Sequence, residues 1–422
     1  MRFPPRYAPR IGIASVAAAR HHVGMKRHLV VYLLLALARL TPAAETPVPD
    51  GFGVNIHFTD PRPGEMKMLA AAGFTWVRMD LNWGATEREP GHYDFSAYDG
   101  LQRALDEHHM RAMLILDYAN RHYDQGLSPH SEEGRQAFAR WAAAAVTHFK
   151  GRGVLWEMYN EPNIDFWKPK PDVTNYIALA RAVGKAIRAA APREQYCGPA
   201  TSTIPLPFLE ACFRGGLLED WDAVTVHPYR QEAPEKVLPE YARLRELIDR
   251  YAPKGKRVPI ISGEWGYSTA WKGFDDERQA KYLPRQFLVN LMAGVPLSIW
   301  YDWHEDGTNP TDPEHHFGIV RHPYIEGREP VCDAKPAYAA LQALVAALRG
   351  CRFDQRLAVG DPDDFVLAFR KGRQTTYAAW TLGAARDVAV EGRRLTLTDT
   401  PRYLTPADLK AAPRAEDRAE TR

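Results

Sequence analysis

Val154-Leu155-Trp156-Glu157-Met158-Tyr159-Asn160-Glu161-Pro162-Asn163 is the stretch whose reading decides the fold. It opens as a short apolar run behind Gly153, the pattern of a buried strand, and closes in a polar burst. Pro162 lacks the N–H that a strand ladder requires, so the strand is expected to stop at Glu161. A second stretch repeats the design: Val258-Pro259-Ile260-Ile261-Ser262-Gly263 runs into Glu264-Trp265-Gly266. Two strands thus each deliver a glutamate at their carboxyl end, 103 residues apart. Taken singly, either glutamate would serve equally as a helix cap or an ion-pair partner.

On both sides of these strands the chain alternates strand and helix patterns, eight times from residue 50 onward. Strands are expected at 53–58, 75–83, 111–118, 154–161, 196–202, 223–229, from 258, and at 296–303. Helices are expected at 64–72, 96–109, 132–150, 173–190, 207–214, 235–251, 277–292 and 336–348. Strands separated by helices pair in parallel. Eight such units in 50–349 predict an α/β fold, a (β/α)8 TIM barrel, with its chemistry at the carboxyl ends of the strands. From Cys351 the pattern changes to short alternating runs, among them Asp364 to Phe369 and Thr375 to Trp380. Residues 351–405 read as a small C-terminal antiparallel β-domain, and the charged, Ala-rich residues 408–422 as a disordered tail.

The formal charge of +2 over 422 residues conceals an asymmetry. Residues 1–44 hold seven Arg and Lys and no acid, which leaves 47 bases against 52 acids in the rest. That balance gives no reason to expect nucleic acid as a partner. Lys26-Arg27, the ten apolar residues Leu29 to Ala38, and Thr41-Pro42-Ala43-Ala44 form the basic, apolar and small-residue regions of a signal peptide. Residues 1–44 are therefore expected to direct export to the periplasm or exterior, with Met25 as an alternative start. Ten apolar residues are too few to span a bilayer, so no membrane span is expected to remain after cleavage. Export permits disulfides, and a Cys332–Cys351 bridge would clip the end of the barrel to the C-terminal β-domain. Cys197 and Cys212 complete the cysteine count, and their spacings fit no zinc motif.

Asn160-Glu161-Pro162, with Glu264 three strands later, resembles the clan A retaining glycoside hydrolases. Arg78 on the second strand, His227-Pro228-Tyr229 ending the sixth, and Trp300 and Trp303 on the eighth extend the resemblance over residues 50–349. Tyr159-Asn160-Glu161-Pro162-Asn163 and the turn Pro90-Gly91-His92-Tyr93-Asp94-Phe95 look like family 39, whereas His227-Pro228-Tyr229 also resembles family 5, the cellulase type. Family 5 enzymes typically carry a histidine at the end of the third strand, where this chain has Asp117-Tyr118-Ala119.

The resemblance implies an exported retaining glycosidase whose substrate is a β-linked oligo- or polysaccharide. It needs no cofactor and no metal, because two carboxylates flanking one bond do the chemistry. Glu161 would be the acid/base and Glu264 the nucleophile. Arg78 and the Tyr229 hydroxyl would favour the ionised Glu264, Asn160 would donate to the sugar 2-hydroxyl, and His227 would orient Glu161. Trp300 would form an apolar floor, with Trp303 as a second aromatic contact. Each has a structural rival: an ion pair for Arg78, a satisfied core position for His227, ordinary barrel packing for the two tryptophans. Trp83, Tyr118, Trp167, Trp265, Tyr267 and Trp271 also flank strand ends, where flat rings would stack on sugar faces. Loop residues His304, Glu305, Asp306, His315 and His316 are of metal-ligand type, but their spacing matches no standard motif. A transglycosidase, or a glycan-binding barrel without catalysis, would share the same scaffold.

Overall fold

The structure, a computed structural model, describes residues 46–411; the expected leader at 1–44 and residues 412–422 lie outside the described residues. Eight parallel strands close into a barrel in sequence order, β1 (Phe52–Asn55) pairing with both β2 (Trp76–Asn82) and β8 (Ser298–Trp300). Between them lie β3 (Arg111–Asp117), β4 (Leu155–Met158), β5 (Gln195–Ser202), β6 (Ala223–His227) and β7 (Ile260–Trp265). The helical layer is α1 (Glu65–Ala72), α2 (Ser96–Glu107), α3 (Glu132–His148), α4 (Val173–Ala190), α5 (Leu206–Arg214), α6 (Leu238–Tyr251), α7 (Asp276–Met292) and α8 (Pro336–Leu348). Side-chain caps start several of these: Ser131 accepts from Gly134 N–H at α3, Asp172 from Asn175 N–H at α4, and Asp275 from Arg278 N–H at α7. Among the described residues no helix is long and apolar enough to cross a membrane.

The barrel interior is apolar at one end and polar at the other. Trp76, Met113, Leu155, Cys197, Ile261 and Ile299 form a buried apolar layer at the amino-terminal end. Because side chains alternate along a strand, the same inner face two residues later carries Arg78 after Trp76 and Glu157 after Leu155. The polar layer is thus a consequence of strand parity in β2 and β4.

Several strands are shorter than their patterns suggested: β1 ends at Asn55 rather than Phe58, and β6 at His227 rather than Tyr229. β4 ends at Met158 rather than Glu161, because Tyr159 (φ 65°) and Glu161 (φ 45°) both take left-handed backbone that cannot continue a ladder. The barrel part of 296–303 narrows to Ser298–Trp300.

The C-terminal region is antiparallel. One sheet has the order β11 (Arg352–Arg356), β12 (Asp364–Lys371), β13 (Gln374–Thr381), β16 (Arg402–Leu404); a second comprises β14 (Arg386–Val390), β15 (Arg393–Leu397) and β17 (Lys410–Ala411). β9 (Val320–Tyr324) and β10 (Cys332–Ala334) form a separate pair in the loop after β8. β12 is apolar on both faces for a reason: Phe365, Leu367 and Phe369 join the main core, whereas Val366 and Ala368 face Val388, Val390, Leu395 and Leu397 of the second sheet. A buried polar contact also fixes the sheet to the barrel, where Glu235 holds Arg285 in a two-pronged pair (2.7 and 2.7 Å) and accepts from Trp380 Nε1 at 2.7 Å. Within the stretch expected as a tail, Leu409 is buried and Lys410–Ala411 pairs with β15. Cys332 and Cys351 are both free and buried, so no bridge links them. Backbone bonds hold that junction instead, from Val48 N–H to Cys351 O (2.9 Å) and from Gly350 N–H to Val48 O (2.6 Å).

Candidate active site

The two glutamates meet at one end of the barrel, in a pocket of about 500 Å³. Glu161 arrives on the left-handed turn after β4, its N–H bonded to Ala200 O at 2.9 Å. Ala200 is itself left-handed (φ 53°), at a bulge where β5 shifts register against β6. Unusual backbone of this kind clusters at functional sites, where surrounding structure holds it. Glu264 leaves β7 at another register shift, between Ser262 and Trp265. Its neighbour Gly263 faces inward, and a Cβ there would stand 2.9 Å from Glu157 Oε1, so glycine lets β7 pass this close.

Arg78 organises the floor. Its side chain is 1% exposed, and every nitrogen is engaged. Nε donates to Glu157 at 2.7 Å, Nη1 to Glu264 at 2.5 Å and to Asn55 at 3.1 Å, and Nη2 to Asn160 at 2.8 Å. Tyr229 donates its hydroxyl to the other oxygen of Glu264 at 2.8 Å. Glu264 is thus held by two donors, one of them a fixed cation. Burial works against the charge of Arg78, but Glu157 and Glu264 outweigh it and raise its pKa further.

Glu161 lies in the opposite electrostatic setting. It is 7% exposed, and burial raises its pKa to about 7 against the opposing pull of Arg78 and a hydrogen bond from Ser202. His227, fully buried behind it, is pushed down to about 4 by burial and stays neutral. Arg78 can only donate, so His227 Nε2, 3.3 Å from Nη2, accepts. The imidazole proton then sits on Nδ1 and is donated to Glu161 Oε1 at 3.0 Å, leaving the other oxygen to carry the carboxylic proton.

Arg78, Asn160, Glu161, His227, Tyr229 and Glu264 therefore converge. Asn160 is more committed than expected: Oδ1 accepts from Arg78, and its amide nitrogen donates to the Tyr118 hydroxyl at 2.8 Å. The two tryptophans do not join them. Ile299 occupies the inner face of β8, so Trp300 points outward into the core, its ring 6.3 Å from that of Tyr267. Trp303 packs against Tyr338 and donates Nε1 to Glu65 at 3.2 Å. The aromatic wall is instead Tyr301, Phe317 and Trp271, with Phe317 5.3 Å from each of the other two rings. Tyr118 and Trp271 line the pocket, whereas Trp83, Trp167, Trp265 and Tyr267 are buried core residues. At the rim, Phe166 is 46% exposed and stacks on Tyr118.

Glu157, Asn55, Asp80 and Tyr301 carried no site assignment from sequence. For Glu157 the signal was present, since a charged residue inside an apolar strand requires a buried partner. Among the described residues, two groups bring ligand-type atoms within 4.8 Å of one another: Glu161–His227–Glu264 and His57–Asp302–Asp306. The hydrogen bonds above account for the first. In the second, burial disfavours charge on His57, but Asp302 (3.5 Å), Asp306 (3.9 Å) and Asp80 prevail and raise it to about 9, so an imidazolium holds the carboxylates together. Glu305, from the loop whose residue types suit a metal, is paired with Lys335 and Arg321, each at 3.0 Å.

Residues 43–306, more than half of the chain, match the family described as cellulase (glycosyl hydrolase family 5). Solved structures that resemble this one include a family 39 glycoside hydrolase from the gut symbiont Bacteroides cellulosilyticus WH2, at 24% identity over 85% of this chain and 81% of that one, TM-score 0.72. A family 39 β-xylosidase from Caulobacter crescentus is 22% identical over 82% and 81%, TM-score 0.62. A family 39 enzyme from Xanthomonas axonopodis pv. citri is 19% identical over 82% and 78%, TM-score 0.59. At these identities the likeness is one of fold. No curated protein matches the sequence.

Proposed function

The chain belongs to the cellulase family, glycosyl hydrolase family 5, and from that premise we propose that this glycoside hydrolase is exported and cleaves β-linked oligo- or polysaccharides with retention of configuration. The observation that supports the stereochemical part is the close approach of the two carboxylates, one oxygen of Glu161 lying within 4.8 Å of one oxygen of Glu264. Retaining enzymes hold their carboxyl groups about 5–5.5 Å apart, whereas inverting ones leave roughly 6.5–9.5 Å for a water.

Glu264 attacks the anomeric carbon as the glycosidic C–O bond breaks, and the Glu161 proton passes to the departing oxygen. A glycosyl ester of Glu264 results. Glu161, now a carboxylate, takes a proton from water as the water attacks the anomeric carbon, and the ester bond breaks to return Glu264. The two environments suit these roles. Burial keeps Glu161 protonated near neutral pH, while Arg78 and Tyr229 stabilise the anionic Glu264. Neutral His227 donates to Glu161 in either protonation state and orients it without competing for its proton. Export is supported by the basic and apolar pattern of residues 26–44. The β-linked substrate is supported by the family and by the β-xylosidase among the similar structures.

The test is proton NMR of the first product formed from an aryl β-glycoside. The β-anomer appearing first supports retention; the α-anomer appearing first refutes it. Glu264→Ala should lose nearly all turnover. Glu161→Ala should retain the most activity on substrates with acidic phenols and be accelerated by azide, yielding the β-glycosyl azide.

A further inference from the structure

The pocket is poor in cations that a substrate can reach. Among the described residues that line it, Arg78 is the one guanidinium, and every nitrogen is committed to Glu157, Glu264, Asn55 or Asn160 beneath the pocket floor. His57 is the other basic group in the lining, and it is paired with Asp302 and Asp306. Against these stand Glu264 and two further carboxylates in the lining, Asp80 and Glu314. With Asp117 and Glu161 counted as neutral acids and Asp302 as the carboxylate that His57 pairs, the site and its support set Asp80, Glu157, Glu264, Asp302, Asp306 and Glu314 against two cations. Arg78 and His57 therefore leave a surplus of negative charge facing the sugar.

Glu314 is the member of this set that neither catalysis nor the barrel accounts for. It comes from the one-turn helix Pro313–His316 in the loop after β8, is exposed, and receives only a long contact from the Tyr301 hydroxyl at 3.5 Å. Partial burial, and after it the charge of Glu264 across the pocket, raise the pKa of its carboxyl. A carboxylate in that place adds nothing to a two-glutamate reaction, but it acts on the charge of whatever enters.

We propose that the pocket accepts uncharged or ammonium-bearing sugars and rejects those bearing a carboxylate, and that Glu314 is a specificity-determining residue for this selection. The proposal rests on the glycosidase reading above and narrows its substrate class: neutral or aminated β-glycans are substrates, and uronic-acid polymers are not. A uronate brought in would meet Asp80, Glu264 and Glu314, and among the described residues of the lining no unengaged guanidinium or ammonium stands ready to receive it. Like charges at contact distance repel, and salt weakens that repulsion where the charge is open to solvent, as Glu314 is.

The experiment compares matched 4-nitrophenyl β-D-glycosides on the full-length protein: glucoside with glucuronide, galactoside with galacturonide, and the xyloside as a control for size. The uronide should show a kcat/KM roughly 100-fold or more below its neutral partner at low salt, and the gap should narrow as NaCl rises to about 1 M, where the Debye length falls to about 3 Å. Glu314→Lys should raise the uronide-to-neutral ratio by about tenfold or more, and Glu314→Gln should move it less in the same direction. A uronide cleaved within threefold of its partner, or a ratio indifferent both to salt and to Glu314→Lys, overturns the inference alone. Cleavage of the xyloside but of neither hexoside nor uronide assigns the exclusion to size and also overturns it. If no neutral glycoside is cleaved, the glycosidase reading fails, and this inference fails with it.

Discussion

Arg78→Met separates what the floor of the site does for stability from what it does for catalysis. Arg78 and Glu157 form an ion pair whose side chains are 1% and 0% exposed, and Glu157 has no second partner, since its Oε1 makes no hydrogen bond. Removing one member of a buried pair costs about 3–5 kcal/mol, because the survivor is stranded in a low-dielectric interior. Arg78→Met should destabilise the protein by that amount. Replacing both members with apolar residues of similar volume is often neutral, so Arg78→Met with Glu157→Leu should recover about 2–3 kcal/mol of the loss. Catalysis should not recover. Both variants lack the guanidinium that meets Glu264 at 2.5 Å, and losing a charged donor of this kind typically costs about 100–1,000-fold in kcat. Urea unfolding followed by tryptophan fluorescence gives the stabilities, and kcat on an aryl β-glycoside gives the activities. A double variant no more stable than Arg78→Met would show that Glu157 is not what Arg78 neutralises. A double variant with restored turnover would show that Arg78 serves the fold and not Glu264.

The pH dependence follows from Glu161. Because its pKa is raised to about 7, kcat should fall as pH rises through that value and the acid loses its proton; the same group contributes stability that is full below about 4.5 and is lost as pH passes about 7, on the order of 3 kcal/mol, and Glu161→Gln should flatten that stability profile. Tyr301→Ala should weaken kcat/KM by about tenfold with little change in stability, whereas Trp300→Ala should cost about 3–5 kcal/mol, as expected for a buried core tryptophan; the opposite pattern in kinetics and urea titration would return Trp300 to the pocket. Trp380→Phe should cost about 1.5–3 kcal/mol by taking a donor from buried Glu235, and should leave the anomeric outcome unchanged by NMR.

Much of the barrel was legible in the chain because its signals are local. Strand and helix periods, and punctuation by Gly and Pro, located all eight strands and their helices, and the change of pattern after Cys351 marked the antiparallel region. The errors came where long-range contacts decide the backbone. Nothing within residues 154–163 announces that Tyr159 and Glu161 will turn left-handed, since that turn is held by the bond from Glu161 N–H to Ala200 O on the next strand. The separation of Cys332 and Cys351 is likewise a matter of how β10 and the end of α8 meet, which spacing in sequence does not fix.

The aromatic residues expose a second kind of limit. Trp300 and Trp303 were the expected sugar contacts on the eighth strand, yet the parity of β8 alone separates the residue that faces the core from the one that faces the pocket. Ile299 sits in the inner apolar layer, so its outward neighbour Trp300 meets the helices and Tyr301 is the next residue free to face the pocket. The same counting would have found Glu157, two residues on from Leu155, as the partner that Arg78 requires. Yet parity misleads at β7. From Ile261 it passes inward through Gly263 and would send Glu264 away from the site, and only the register shift between Ser262 and Trp265 turns the carboxylate toward Arg78 and Tyr229. A glutamate at a strand end is therefore a weak signal by itself. The aim of Glu264 is set by a bulge that the sequence does not mark, and the residue became readable only through the set of partners that its position would have to satisfy.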